Sequence, residues 1–185
     1  MTDLALFESL LSCNTVSELH TRVGVITKQM GFEHFVYGFQ INRPSAEPYQ
    51  FIISGYPDEW WKHYCDSGYQ KIDPVVSHCF QSVVPLLWED LIALRPDSKK
   101  LMNEAKDCGL ATGLTVPLRG IKGDFGLLSV AAERNVHTRK DISHSASGVQ
   151  LLASYMHEAA HRLVLSSELG AECETVSKSI SSQLR

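Results

Sequence analysis

The segment at residues 56–88 concentrates large aromatic side chains and contains all three tryptophans of the chain. Rings of this size normally lie in a core or at a binding site, and each Tyr or Trp carries one polar atom that needs a partner when buried. The cluster can therefore pack and hydrogen-bond at once, and it encloses either only other side chains or a small amphiphilic molecule. Its members are Tyr56, Trp60, Trp61, Tyr64, Tyr69, Asp73 and Trp88.

The length and composition of the chain fit one globular domain. A chain of 185 residues that is 44% hydrophobic and 21% charged can bury a core without disulfide or metal crosslinks. The net charge is -4, and the sequence shows no concentrated basic face. Both observations argue against direct binding to a nucleic acid backbone. Five widely spaced cysteines without a C-x-x-C pair predict reduced thiols in a cytoplasmic protein, and no apolar stretch is long enough to cross a membrane.

The spacing of apolar residues predicts an α+β fold. Helical periodicity covers residues 3–12, 15–30, 57–67, 73–80, 96–109 and 138–169. Strand-like alternation covers residues 32–41, 49–54, 110–118 and 125–132, with polar turns at residues 42–48 and 120–124. This order predicts an antiparallel sheet with helices packed on both of its faces.

The end of the chain differs in composition from the rest. Beyond Gly170 the sequence is polar and rich in serine, which is typical of a linker. We therefore expect a ligand-binding domain at residues 1–169 and, at residues 170–185, a linker toward a further domain.

Residues 157–161 match the H-E-x-x-H pattern, in which two histidines one helical turn apart bind zinc and a glutamate acts as base. A zinc hydrolase is therefore one alternative function. Such a site needs a third protein ligand, and the extended pattern asks for glycine and histidine where this chain has Val164 and Ser167. Glu168 and Glu172 lie too close along the helix for a returning carboxylate. We therefore expect histidines that face solvent, no metal, no cofactor and no enzymatic activity.

Two polar residues leave alternatives open. Asp73 precedes Pro74, so it is either a helix N-cap or a buried carboxylate that faces a ligand amide. Ser129 lies in an apolar strand, where its hydroxyl needs either a ligand or a backbone carbonyl as partner. The same choice, between core aromatic and cavity wall, is open for Trp60, Tyr64 and Trp88.

Four spaced motifs occur together in this chain. They are Y-P-x-x-W-x-x-x-Y from Tyr56, G-Y-x-x-x-D-P from Gly68, the isolated Trp88, and G-L-x-x-G from Gly109. In this order they resemble the autoinducer-binding domain of LuxR-type quorum-sensing receptors, and the similarity spans most of residues 5–165. Within that family, residues 73–79 and 113–118 resemble the LasR type, which responds to long-chain acyl-homoserine lactones.

The resemblance implies a fold and a set of partners. The fold would be an α-β-α sandwich with a central five-stranded antiparallel sheet, similar to PAS and GAF domains. The partners would be a buried N-acyl-homoserine lactone, a second copy of the chain in a homodimer, and promoter DNA bound through a C-terminal helix-turn-helix domain. A sensor of the same fold with another ligand, or a ligand-free antagonist that forms inactive mixed dimers, is an alternative.

The resemblance also implies roles for individual residues. Trp60 would donate its indole N–H to the lactone carbonyl, and Asp73 would accept the amide N–H of the ligand. Tyr56 and Ser129 would donate to the amide carbonyl. The head group has two acceptors and one donor, and these residues supply the complementary atoms. Residues that would enclose the head group and acyl tail are Tyr64, Trp88, Leu110, Val36, Gly38, Ile52, Val76, Leu101, Ala105, Phe125 and Leu127.

Two positions depart from the LasR type. Trp61 replaces an arginine that helps to hold a 3-oxo group through water, and Val75 replaces a threonine of the polar cluster. Both replacements remove hydrogen-bonding capacity. We therefore expect no strict preference for 3-oxo lactones, and we expect Trp61 to distinguish this pocket from those of its relatives.

Overall fold

The computed structural model describes residues 4–41, 47–94, 98–120, 124–133 and 139–183. Within these ranges the chain forms seven α-helices and one five-stranded sheet. The predicted turns at residues 42–48 and 120–124 lie partly outside them, as does the predicted helix start at Pro96. Among the described residues, no helix combines the length and apolar character that a bilayer span requires.

The chain begins with helices that pack on one face of the sheet. Helix α1 covers Leu4–Glu8, a 3₁₀ turn follows at Ser9–Ser12, and helix α2 covers Val16–Gln29. Thr15 begins α2 as its N-cap, because its hydroxyl accepts the backbone N–H of Glu18 at 3.1 Å. Gly31 follows the helix with φ of 90°, a left-handed conformation that only glycine adopts easily.

The sheet has five antiparallel strands in the order β2-β1-β5-β4-β3. The strands are β1 at His34–Ile41, β2 at Tyr49–Ser54, β3 at Leu86–Leu87, β4 at Thr112–Arg119 and β5 at Phe125–Ala132. This confirms the predicted antiparallel sheet. Alternation in the sequence missed β3, because a strand of two residues is too short to show a period.

Four helices cover the opposite face of the sheet: α3 at Asp58–Asp66, α4 at Pro74–Gln81, α5 at Trp88–Leu94 and α6 at Lys99–Asp107. Gly68 and Gly109 follow α3 and α6 with φ of 65° and 89°, which explains the glycine in each motif. Helix α5 was not predicted from the sequence. Its first residue is Trp88, which lies directly after β3.

The last helix, α7, covers Arg139–Gln183. The prediction that helical structure ends at residue 169 was therefore wrong. Gly170 costs a helix about 1 kcal/mol but does not end it, and no proline follows that would. The role of residues 170–185 as a linker stays a prediction.

Two hydrophobic clusters fill the two interfaces of the sheet, so the fold is the expected α-β-α sandwich. Alternation along β1 places Tyr37 and Phe39 on the face covered by α1, α2 and α7. The second cluster lies between the other face and helices α3–α6. Buried members of this second cluster include Trp60, Tyr69, Val75, Leu86, Trp88, Leu91, Leu101, Met102, Ala105 and Leu110.

The histidines of the H-E-x-x-H pattern face the sheet, and the expectation that they face solvent was wrong. His157 and His161 lie at the edge of the buried stripe of α7, next to Met156 and Ala160. His157 Nδ1 is 2.8 Å from the Tyr37 hydroxyl, and His161 Nε2 is 3.4 Å from Asp124 Oδ2. In the part of the chain that the structure describes, no three His, Cys, Asp or Glu side chains form a group able to hold a metal ion.

Candidate ligand-binding site

A cavity of about 410 Å³ lies between the sheet and helices α3, α4 and α6. Its volume is within the range of ~300–1,000 Å³ that is typical of small-molecule sites. Every residue for which the sequence predicted ligand contact borders this cavity, although the binding itself stays a prediction. These residues are Val36, Gly38, Ile52, Tyr56, Trp60, Trp61, Tyr64, Asp73, Val76, Trp88, Leu101, Ala105, Leu110, Phe125, Leu127 and Ser129.

The sheet presents its side chains to the cavity in rows, because alternate residues of neighbouring strands point to the same face. Strands β1 and β5 pair Val36 with Ser129, Gly38 with Leu127, and Gln40 with Phe125. We call these pairs the first, second and third rows. The first row is polar on one side, the second is apolar, and the third carries an amide and an aromatic ring. The cavity floor therefore changes in character along the strand axis.

Asp73 is the predicted helix N-cap and also borders the cavity, while its contact with a ligand amide stays a prediction. Its Oδ1 accepts the backbone N–H of Val75 at 2.7 Å, so it caps helix α4. Its Oδ2 accepts the hydroxyl of Tyr64 at 2.8 Å, and the side chain also borders the cavity. Burial raises the pKa of this carboxyl, and hydrogen bonds from Tyr64, Val75 and Val76 oppose that rise.

Hydrogen bonds between neighbouring side chains hold the hydroxyl of Ser129 in place at the first row. The Trp88 indole N–H donates to Thr115 Oγ1 at 2.9 Å, and Thr115 Oγ1 lies 2.7 Å from Ser129 Oγ. Sequence reasoning missed Thr115. Thr115 pairs with Ser129 across β4 and β5 and therefore shares its face, and this pairing is not visible in the sequence. The partner of the buried Ser129 hydroxyl is thus a side chain rather than a backbone carbonyl.

Tyr56 supplies a phenol beside Ser129 and Asp73. Burial raises the pKa of Tyr56, the carboxylate of Asp73 raises it further, and interaction with Ser129 opposes this slightly. Burial likewise raises the pKa of Tyr64, with Asp73 adding to the effect. Both phenols therefore stay protonated at physiological pH and can donate a hydrogen bond.

Trp60 is 2% exposed and borders the same end of the cavity as Tyr56 and Asp73. Its ring tilts against Tyr64 and Tyr69, with centroid distances of 6.0 and 6.3 Å. The side chain borders the cavity, and its indole N–H is a hydrogen-bond donor that a ligand acceptor could use.

Gly113 explains how Trp88 lies so close to the sheet. A Cβ at this position would lie 2.6 Å from the carbonyl oxygen of Val130 and 2.8 Å from Cδ2 of Trp88. Any side chain here would collide with the backbone and with the indole. The last glycine of the G-L-x-x-G motif is therefore needed so that Trp88 can wall the cavity.

The two positions that depart from the LasR type both border the cavity. Trp61 is half-buried and stacks on Tyr64, with centroids 5.8 Å apart and ring planes 9° apart. Val75 is buried at the start of α4 and offers no polar side-chain atom. The expected lack of a strict 3-oxo preference is consistent with these positions and stays a prediction.

Several lining residues were not predicted, and three of them, Gln40, Gln50 and Phe80, lie in the third row or contact it. Phe80 and Phe125 stack with centroids 4.0 Å apart, and the Arg119 guanidinium lies 5.1 Å from the Phe125 ring. The amide of Gln50 donates to Gln40 Oε1 at 3.1 Å across β1 and β2. Strand alternation could have identified these glutamines, because they share a face with Gly38 and Ile52. The unpredicted lining residues are Phe39, Gln40, Gln50, Cys65, Gln70, Val75, Phe80 and Met102.

The model of the autoinducer-binding domain family matches residues 15–160, which is most of the chain and includes the whole cavity. The chain belongs to this family. The autoinducer-binding domain is the sensor domain of LuxR-type quorum-sensing regulators, which confirms the resemblance seen in the spaced motifs. The likeness to the LasR type within the family stays a prediction.

Curated proteins and solved structures support this assignment. The transcriptional activator AnoR of Acinetobacter nosocomialis is 28% identical over 159 residues, which cover 86% of this autoinducer-binding domain chain and 67% of AnoR. CepR2 of Burkholderia cenocepacia, described as an N-acylhomoserine lactone dependent LuxR family factor, superposes with a TM-score of 0.72. The match has 22% identity and covers 86% of this chain and 92% of CepR2.

Escherichia coli SdiA has the same fold, with a TM-score of 0.73, 22% identity and coverage of 86% of this chain and 66% of SdiA. Another SdiA structure, with a TM-score of 0.72 and 21% identity, is a complex with octanoyl-rac-glycerol. The chain spans 58–67% of the length of the first curated relatives it matches. The activity of a whole regulator is therefore a proposal for this chain.

Proposed function

We propose that this domain binds an N-acyl-homoserine lactone with a medium to long acyl chain. The observation that carries this proposal is a set of hydrogen-bonding side chains grouped at one end of a mostly apolar cavity. Asp73 supplies a carboxylate, Trp60 an indole N–H and Tyr56 a protonated phenol, and all three side chains border the cavity.

The chemistry of the head group fits these atoms. A lactone amide offers one N–H donor, which Asp73 would accept, and two carbonyl acceptors. Trp60 would donate to the lactone carbonyl, and Tyr56 with Ser129 would donate to the amide carbonyl. The amide N–H and both carbonyl oxygens then have partners, so burying the head group leaves none of these three groups unpaired. The acyl chain would follow the sheet past Gly38 and Leu127.

We propose that ligand binding is coupled to folding, dimerisation and promoter binding of the full regulator in the cytoplasm. A ligand that binds only the folded state stabilises it by RT ln(1 + [L]/Kd), about 2.7 kcal/mol at a hundredfold excess over Kd. Part of the second core cluster borders the cavity, so an occupied cavity completes that core. DNA would be bound by a C-terminal helix-turn-helix domain beyond residues 1–169.

A thermal-shift experiment tests the lactone proposal. Purified protein is heated with lactones from butanoyl to dodecanoyl, and we expect medium to long chains to raise Tm in a concentration-dependent way. Homoserine lactone without an acyl chain is the control for the head group alone. Absence of a shift with every acyl lactone would contradict the proposal.

A ligand other than a lactone is the second candidate, and one observation favours it. SdiA, which shares this fold, binds octanoyl-rac-glycerol, a molecule with an acyl chain and hydroxyl groups but no lactone. The same donors and acceptors could bind such a head group. Mass spectrometry of an organic extract of the purified protein separates the two candidates, since it identifies whichever molecule the cavity retains.

A further inference from the structure

The third row of the cavity floor carries polar amide groups. A channel that binds only an alkyl chain would be lined by apolar side chains. Gln40 and Gln50 lie directly opposite each other on β1 and β2, and the Gln50 amide donates to Gln40 Oε1 at 3.1 Å. Both side chains border the cavity. Gln40 is half-buried and Gln50 is exposed, so the amide pair lies where the cavity meets solvent.

The third row lies at a fixed distance along the strands from the proposed head-group site. Ser129 in the first row and Phe125 in the third row are four residues apart on β5, which corresponds to ~14 Å along an extended strand. The intervening row consists of Gly38 and Leu127, flanked by Ile52. A tail that starts at Ser129 therefore crosses an apolar row before it reaches the amides.

The wall beside the amide pair is held in place by its own contacts. Phe80 stacks on Phe125, and the Arg119 guanidinium lies over Phe125 while donating to the carbonyl oxygen of Cys79 at 2.6 Å. These contacts join the end of α4 to the ends of β4 and β5. Phe80 is 57% exposed, so this wall lies at the mouth of the cavity, and the end of a tail at this depth lies between aromatic rings and amides.

We propose that the amide pair of Gln40 and Gln50 recognises a hydroxyl group at the end of the ligand tail. This inference rests on the proposed function, because it assumes that the head group is bound at Asp73 and Trp60. Plain methylene groups would remove water from the amides and return no hydrogen bond, which is unfavourable. A terminal hydroxyl can donate to Gln50 Oε1 and accept from an amide N–H, so it replaces the lost water.

The test compares lactones in matched pairs. Octanoyl, decanoyl and dodecanoyl lactones, each with and without a hydroxyl on the terminal carbon, are titrated into the protein by calorimetry. We expect the hydroxylated tail to bind about tenfold more tightly at the one chain length that reaches the third row. The preference should be absent in the shorter chains, which end in the apolar row.

Gln50→Leu is the informative variant, because leucine is close in size and suits an edge strand. We expect it to abolish or reverse the preference for the hydroxylated tail while the plain tail binds at least as well. Gln29→Leu is the matched control, since Gln29 is exposed at the end of α2, in the helical layer on the opposite face of the sheet. It should leave the ratio of the two affinities unchanged.

The outcomes separate this inference from the proposed function. If both members of every pair bind with equal affinity, or if Gln50→Leu leaves the ratio unchanged, the recognition of a terminal hydroxyl is overturned and the lactone proposal stands. If no lactone binds at all, both are overturned. Should Gln50→Leu fail to fold, the double variant with Gln40→Leu supplies an apolar pair, and the same ratio is measured.

Discussion

Asp73 uses one carboxylate for two purposes. Its Oδ1 caps α4 through Val75, and its Oδ2 accepts the Tyr64 hydroxyl at the edge of the cavity. A cap by itself needs no burial, yet burial raises the pKa of this carboxyl above its ordinary value. Without a ligand, ionised Asp73 is therefore less stable than an exposed carboxylate, and an amide N–H from a ligand would offset that cost.

The substitution Asp73→Asn tests the residue. Asparagine caps helices about as well as aspartate, so we expect little loss of stability in the free protein. Hydrogen bonds to charged groups contribute about 1.5–3 kcal/mol, so lactone affinity should fall at least tenfold. Urea unfolding without ligand and calorimetric titration with ligand measure the two effects.

Asp73→Ala is the control for this prediction, because alanine removes the cap as well as the carboxylate. It should lose about 1 kcal/mol of stability in the free protein in addition to affinity. If Asp73→Asn instead loses stability as Asp73→Ala does and binds lactone normally, Asp73 acts as a cap alone.

The residues that could be predicted from the sequence are those whose neighbours along the chain fix their surroundings. Local rules predicted that Trp60 and Tyr64 share a helical face and that Asp73 caps a helix, and the family resemblance grouped the three at one site. Thr115 was missed because its importance depends on its pairing with Ser129 across β4 and β5. Gln40 and Gln50 share strand faces with Gly38 and Ile52, so alternation could have placed them at the cavity, but their pairing in one row is known only from the register.

At the scale of elements, the strands β1 and β5 separate two different environments. One face of β1 supplies Val36 and Gly38 to the cavity, and the other supplies Tyr37 and Phe39 to the core under α7. Periodicity predicted a sheet with helices on both faces, and the family resemblance assigned Val36 and Gly38 to the cavity. It did not predict the sheet order, because strand neighbours are set by packing between distant segments rather than by local pattern.

A polar contact between two side chains joins β1 to α7. Tyr37 is fully buried, and its hydroxyl lies 2.8 Å from His157 Nδ1. Burial lowers the pKa of His157, and nearby His161 lowers it further, while Asp124 and Glu158 oppose this. The H-E-x-x-H match in this chain is therefore explained by packing: neutral His157 joins the long helix to the sheet.

This contact predicts how stability depends on pH. In the unfolded chain His157 binds its proton near the ordinary pKa of about 6.5, whereas in the folded protein it does so only at lower pH. Between these two pKa values the unfolded state binds more protons, so the free energy of unfolding falls as pH decreases through this window. We expect the loss to begin as pH drops below about 7.

Urea unfolding at a series of pH values between neutrality and the acid limit of the folded state measures this dependence. His157→Gln is the comparison, because glutamine retains a hydrogen-bonding group for Tyr37 and does not titrate. The slope of stability against pH should be smaller in the variant than in the parent protein. Equal slopes would show that His157 is not responsible, and that other groups govern the dependence.

At the scale of the whole molecule, the two layers of helices serve different purposes. Helices α1, α2 and α7 pack on a continuous core that contains no residue predicted to bind ligand. Helices α3, α4 and α6 pack on the other face, where the cavity replaces part of the core. A ligand in this cavity would contact the sheet and these helices at once, and would therefore hold one layer to the rest of the fold.

Hydrogen exchange measured with and without a lactone tests this division. Local openings of α3, α4 or α6 would break the cavity, so a bound ligand should suppress them. At a hundredfold excess over Kd, exchange that proceeds through such openings should slow by up to about a hundredfold. Openings that fray α1 or the start of α2 leave the cavity intact, so exchange there should change little.

Equal slowing in all helices would mean that only global unfolding is affected, and unchanged exchange in α3, α4 and α6 would contradict binding in this cavity.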